Sequence, residues 1–225
     1  MLSLVAKYLC LVIIFCSFHV SAQNHIRVTT TANGYFGDLN TSPEKWNGGF
    51  GIGIQFQTDK RYNGQLILNA GKIVGQNPSS TFNVPNTTDI IPNRFFETNY
   101  LSFNYEGHMS LIQKERFRLY AGIGLGLLRF VPRDAEGNEL FNQSDTRLDE
   151  ETYGSIAFIL PLKLGVKYYL KNKYGLELEV AQLNPSTDYL DNIAELGAKS
   201  GNDNIRMIRF SVLVPILQKT KKPSN

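Results

Sequence analysis

The chain has 225 residues, a length that suits one domain, and carries 23 Lys and Arg against 20 Asp and Glu. Its two cysteines, Cys10 and Cys16, both lie in an apolar first segment, so the rest of the chain excludes disulfides, thiol catalysis and cysteine-bound metal. A net charge of +3 gives no argument for a nucleic-acid partner, and none is expected; Lys219, Lys221 and Lys222 read as a short solvated tail.

Residues 1–22 read as a cleaved signal peptide. Lys7 supplies the positive start, Leu9 to Phe18 the apolar run, and Val20-Ser21-Ala22 the small residues before a cut ahead of Gln23. Cys16 is a weak lipoprotein signal, because Ile14 and Phe15 precede it where small residues are expected. Residues 23–217 then read as the barrel described next, and 218–225 as a basic periplasmic tail.

Alternation with period two recurs from residue 26 onward, the pattern of strands with one apolar and one polar face. Eight segments show it, near 26–37, 48–58, 62–74, 95–113, 116–130, 153–170, 173–184 and 204–217. The connections near 58–61, 113–116 and 171–173 are tight and polar. Those near 38–47, 75–94, 131–152 and 185–203 are long and rich in Asn, Asp, Pro and Ser. Long and short alternate strictly, so in an up-and-down barrel four long loops share one rim and three turns the other. The fold class is therefore all-β: an eight-stranded antiparallel up-and-down transmembrane β-barrel. Its four long loops are expected outside the cell, its three short turns and both termini in the periplasm.

The sixth segment shows the two faces most clearly. Ile156, Phe158, Leu160, Leu162, Leu164, Val166, Tyr168 and Leu170 share one, while Lys163, Gly165, Lys167 and Tyr169 share the other. The seventh sets Leu176, Leu178 and Val180 against Glu177 and Glu179, and the last sets Ile208, Phe210, Val212 and Val214 against Arg209 and Ser211. Eight strands enclose a narrow interior, which bulky groups from every strand would overfill. Together with the export signal, this turns the apolar face toward outer-membrane lipid. The polar face then fills the lumen with Arg27, Glu106, His108, Arg118, Lys163, Lys167, Glu177, Glu179 and Arg209, whose opposite charges can pair. Glycines 51, 53, 122, 124, 126 and 165 relieve crowding there, and the expected product is a plugged polar core rather than a diffusion pore.

Chemistry-bearing patterns are few. Glu106, His108 and Ser110 share a strand face, but residues two apart on a strand stand nearly 7 Å from one another, so a satisfied luminal histidine is the simpler reading. Asp145, Asp149, Glu150 and Glu151 cluster in the third long loop without the spacing of a calcium loop. The alternating glycines of 49–53 and 122–126 lack the strand-to-helix turn of a nucleotide site. No catalytic residue, metal site or cofactor is expected.

Gly34-Tyr35-Phe36-Gly37-Asp38-Leu39-Asn40, leading from the first strand into its loop, resembles the opening of the PorG-like barrels of Bacteroidota. Arg94-Phe95-Phe96-Glu97-Thr98-Asn99-Tyr100, Pro185-Ser186-Thr187-Asp188-Tyr189-Leu190-Asp191 and Gly201-Asn202-Asp203-Asn204 are similar in placement, as is the glycine-rich fifth strand. The chain departs from that pattern in Asn204-Ile205-Arg206, where an aromatic is usual, and in its Lys-rich end. The resemblance implies a non-enzymatic outer-membrane component of the type IX secretion system, associated with the periplasmic ring of PorK and PorN and, in gliding species, with motility. Asp59, Lys60, Arg61, Lys114, Glu115, Arg116, Lys171, Asn172 and Lys173, on the short-turn rim, are then the candidate partner contacts. Asp38, Asp188 and Asp191 are candidates for ordering the opposite rim by accepting backbone hydrogen bonds. The alternatives are a structural or surface-binding barrel unrelated to secretion, a lipid-modifying barrel enzyme using His108, and, more weakly, a small pore.

Overall fold

The computed structural model describes residues 23–40, 45–85, 89–148, 151–198 and 201–216. The expected signal peptide, the tail at 218–225, and Asp149 and Glu150 of the acidic cluster lie outside the described residues. Eight strands follow one another in the described chain: β1 (His25–Phe36), β2 (Trp46–Phe56), β3 (Tyr62–Gln76), β4 (Phe95–Gln113), β5 (Phe117–Arg133), β6 (Ile156–Tyr169), β7 (Gly175–Pro185) and β8 (Asn204–Pro215). Each pairs antiparallel with its neighbours in sequence, and β1 closes on β8, so the sheet is a closed barrel without a free edge. One register shift interrupts the pairing, between Ser110 and Ile112 where β4 meets β5.

Strand ends move by up to three residues from the sequence expectation, for local reasons. β2 stops at Phe56 because Gln57 takes a positive φ of 55° and Lys60 N–H donates to its carbonyl. β6 begins at Ile156 rather than 153, because Tyr153 leaves the sheet to stack on Tyr189 at 4.4 Å. β5 runs on to Arg133, which pairs with Glu97 of β4.

Alternation fixes the two surfaces. Along β6 every apolar residue named above is outward, Phe158 being 73 % exposed, while Lys163 and Lys167 are buried. Ile123, Leu125 and Leu127 do the same on β5, as do Leu178, Val180, Phe210 and Phe50 elsewhere. In water such a continuous apolar belt would be strongly unfavourable, at about 25 cal/mol per Å². In hydrocarbon it is the solvated surface.

The interior has two storeys. Toward the short turns it is polar and ionic. Toward the long loops it is apolar, built from Leu128, Phe130, Ile159, Leu183, Ile205, Met207 and Tyr100, with Leu39, Leu140, Leu190 and Ile193 brought in from loops 1, 3 and 4 (37–45, 134–155 and 186–203). The lumen is thus ionic in its lower half and largely apolar above, with Asn33 and Thr98 buried among the apolar groups, so the polar core expected from the sequence fills only part of its length. Consecutive apolar residues, Leu127-Leu128 and Met207-Ile208, were the sequence signal for it, since each pair fills both faces of its strand.

Candidate functional site

Three places can do something chemically: the ionic lower lumen, the cap made by the long loops, and the rim of short turns.

All nine polar residues read as luminal from the sequence are buried inside the barrel. Arg27 contacts Glu177 at 3.3 Å and Glu179 at 2.9 Å, Arg209 contacts Glu179 at 2.8 Å and Glu106 at 3.5 Å, and Lys167 contacts Glu177 at 3.2 Å. Lys163 pairs with Glu106 and reaches Glu179 at 3.6 Å. Four cations therefore share three carboxylates, so each carboxylate has at least two positive neighbours. Sequence reasoning missed the uncharged members. Gln65 donates to Glu106 at 2.6 Å and accepts from Arg27 at 2.8 Å and from Gln55 at 2.9 Å. The Tyr120 hydroxyl stands 2.5 Å from both Glu177 and Glu179. Gly165 makes room for it, since a Cβ there would lie 2.6 Å from that hydroxyl.

Glu106 and His108 share this face but not a hydrogen bond. The glutamate is held by Lys163, Arg209 and Gln65. His108 has Nδ1 3.1 Å from Asn63 Oδ1 and stacks on Tyr120 at 4.9 Å. Among the described residues no group of three or more His, Cys, Asp or Glu is arranged to hold a metal ion.

At the opposite end, the described residues of loops 1, 3 and 4 and of loop 2 (77–94) fold inward as a cap. Its centre is the Tyr35 hydroxyl, 2.6 Å from Asp191 Oδ2 and 2.9 Å from Asp203 Oδ1. Asp191 accepts from Ile193 N–H at 2.8 Å and Asp203 from Leu190 N–H at 2.9 Å, so each carboxyl also fixes loop 4 backbone. Phe96 packs edge-on against Tyr35 at 4.6 Å. Asn192, in the left-handed region at φ 72°, ties three loops together. Its amide nitrogen donates to Asn93 and Thr146, and its carbonyl oxygen accepts from Arg147 and Tyr153. Of the three aspartates expected to order this rim, Asp191 is buried at its centre, while Asp38 and Asp188 are half-buried beside it. Asp203 and Asn192 escaped sequence reasoning, because what marks them is contact with residues far away in the chain.

The carboxyls of the cap crowd one another. Burial, then the carboxylates of Asp38 and Asp188, push the Asp191 carboxyl up to about 8; burial, then Asp191, push Asp203 well above its ordinary range. Asp188 is pushed up to about 7 by burial, Asp38 and Glu195. A side chain at Gly37 would collide with both Tyr35 and Asp203. Gly37→Ala is therefore expected to loosen the cap by about 1–3 kcal/mol, seen as faster proteinase K cleavage of loop 4 in an otherwise folded barrel.

The nine rim residues read as partner contacts sit on the short turns, and all are exposed except half-buried Arg116. Just inside the rim, His25 holds the floor, bonding Thr58 Oγ1 and the Lys173 carbonyl, both at 2.9 Å.

A closed antiparallel cylinder, an apolar exterior and a salt-bridged interior define a small outer-membrane β-barrel. The likeness to solved structures agrees and extends to such barrels broadly. Neisserial surface protein A (NspA) aligns with a TM-score of 0.53 and 10 % identity over 85 % of this chain and 96 % of its own. Ail, the attachment invasion locus protein of Yersinia pestis, aligns with a TM-score of 0.50 and 8 % identity over 88 % of this chain and 100 % of its own. At such identities the shared property is the fold. No protein-family model matches the sequence, and no curated protein does.

Proposed function

We propose that this chain is a sealed, non-enzymatic surface barrel whose preorganised cap is its binding part. The observation that carries this reading is the cap itself: four loops locked together, yet leaving Ile91 76 % and Phe141 47 % exposed on loops 2 and 3. Exposed apolar groups on a rigid frame lose little entropy on binding, which favours recognition. The lipid-modifying alternative has least support, because His108 is buried among Asn63, Lys167 and Tyr120.

A second reading, a type IX secretion component contacting the PorK/PorN ring, draws on a separate observation. Tyr35 and Leu39, Phe96, Leu190 and Asp191, and Asp203 come from the four stretches that carry the family resemblance, and they meet in the cap. On that reading the short-turn rim, not the cap, carries the partner.

The two readings put their partners at opposite ends, so site-specific photocrosslinking in native envelopes separates them. Crosslinks from Ile91 and Phe141 with silence at Lys60 and Lys114 are expected. Crosslinks from Lys60 and Lys114 to PorK or PorN would replace the first reading with the second.

A further inference from the structure

Every buried cation described so far is neutralised or hydrogen-bonded, with one exception. Arg27, Lys163, Lys167 and Arg209 pair with carboxylates, and Arg147, in loop 3, donates to the Leu140 and Phe141 carbonyls and to Asn192. Arg118, the first inward residue of β5, is only 9 % exposed, and its Nε and Nη1 have no hydrogen-bond partner. Among the described residues it has no ion pair either. Its one neighbour of note is the Tyr169 ring, 5.2 Å from the guanidinium carbon. Arginine does not shed its proton in proteins, and a desolvated charge without a partner is strongly unfavourable. The position calls for a counter-anion.

The structure has space for one. Arg118 lines a cavity of about 240 Å³ that opens at the short-turn rim. Arg116, Lys171 and Lys173 line it as well, against only Asp59 and Glu115. The Thr58 hydroxyl donates to the Gln23 carbonyl at 2.7 Å, and Lys173 is held by its carbonyl to His25, so this wall ties the residues before β1 to the turns after β2 and β6. A planar guanidinium with exposed ammonium groups lining the same cavity is a donor set that suits phosphate, the fork fixing geometry and the lysines adding charge. The volume exceeds several waters at roughly 30 Å³ each and falls below the size of a typical drug pocket, from about 300 Å³.

We infer that the short-turn mouth of this barrel is a binding site for a phosphate group, with Arg118 as its principal ligand-contacting residue. The phosphate can come from a phospholipid headgroup or from a small soluble ester. The site goes beyond the function proposed above, and neither partner reading depends on it.

The test uses the folded barrel in a phosphate-free maltoside detergent, titrated calorimetrically with inorganic phosphate and, separately, with a short-chain phosphatidylglycerol below its micelle concentration. Saturable binding of one equivalent is expected, weakened at least tenfold in Arg118→Gln and by less in Arg118→Lys, which keeps the charge but loses the fork. Lys45→Gln, an exposed lysine at the opposite end of the barrel and outside the cavity, is expected to bind like the wild type. Binding of phosphate as tightly as the lipid identifies a soluble ester, and binding of the lipid alone identifies a headgroup; either supports the site. No saturable binding of either probe to the wild-type barrel, or undiminished binding to a folded Arg118→Gln, overturns it.

Discussion

Glu179→Gln is expected to lower the stability of the barrel by about 3–5 kcal/mol, the usual result of removing one partner from a buried ionic cluster. Glu179 contacts Arg27, Arg209 and Lys163 and stands 2.5 Å from the Tyr120 hydroxyl, all without exposure to solvent. The amide keeps the shape but removes the charge, leaving four cations to share Glu106 and Glu177. The side chains of this storey have almost no solvent-accessible surface, so bulk water does little to screen the excess. Urea unfolding in detergent micelles, followed by the mobility shift between folded and unfolded barrel on unheated gels, measures the loss. A Glu179→Gln barrel as stable as the wild type would mean that the interior is hydrated and the cluster loosely held.

The second large effect concerns the cap and pH. In an unfolded chain, carboxyls such as Asp191 and Asp203 release their protons near 3.8, whereas in the cap Asp191 keeps its proton to about 8 and Asp203 is also raised. Between those values the folded cap binds more protons than the open one, so it is most stable at low pH and loses stability as pH rises through about 8. Hydrogen bonding agrees with a retained proton. The Tyr35 O–H can donate to one carboxyl while its oxygen accepts from the other in its protonated form, and neither carboxyl has an ion pair among the described residues to hold it charged. The groups acting on this pair are Tyr35, Asp38 and Asp188, with Glu195 acting on Asp188; the cap's buried arginine, Arg147, is engaged by Asn192 and by the Leu140 and Phe141 carbonyls, so deprotonation adds repulsion that no ion pair among the described residues offsets. Hydrogen exchange of residues 186–198, corrected for intrinsic rates, is expected to rise at least tenfold between pH 5 and pH 9. In Asp191→Asn, which imitates the protonated form, that rise is expected to shrink. Exchange that is flat with pH in the wild type would show that the cap does not hold its proton.

The wall of the barrel was legible because its code is local. Side chains alternate faces with every residue, so Lys163, Lys167, Glu177 and Glu179 announce one side of a strand and Leu162, Leu164 and Leu178 the other, with no knowledge of the neighbouring strands. The strict alternation of long and short connections supplied the topology by the same economy. Pairing partners were not legible, because register decides whether Arg27 meets Glu179 or another acid, and register is a property of two strands. Tyr120 fell on the glycine-rich face of its strand, yet nothing local marks its hydroxyl as the link between Glu177 and Glu179.

The cap was legible only as separate fragments. Tyr35, Asp191 and Asp203 are more than 150 positions apart at the extremes, and their meeting depends on closure of β1 on β8, which sets the two strand ends side by side. Arg118 shows the converse case. By alternation it belongs with the luminal charges, but its isolation from the carboxylates follows from its place at the floor, below the level where Glu177 and Glu179 are engaged by Arg27. A sequence reports which face a charge occupies and not whether a partner waits there.

All of this depends on the outward apolar side chains touching hydrocarbon. The protein has a single tryptophan, Trp46, so a clean fluorescence probe can be made. In a Trp46→Phe background, Leu125→Trp places an indole at a wall position that is 68 % exposed. Reconstituted in bilayers with brominated phospholipid, that indole is expected to emit at short wavelength and to be strongly quenched. Long-wavelength emission untouched by bromine, from a protein that stays monomeric without detergent, would contradict the membrane barrel.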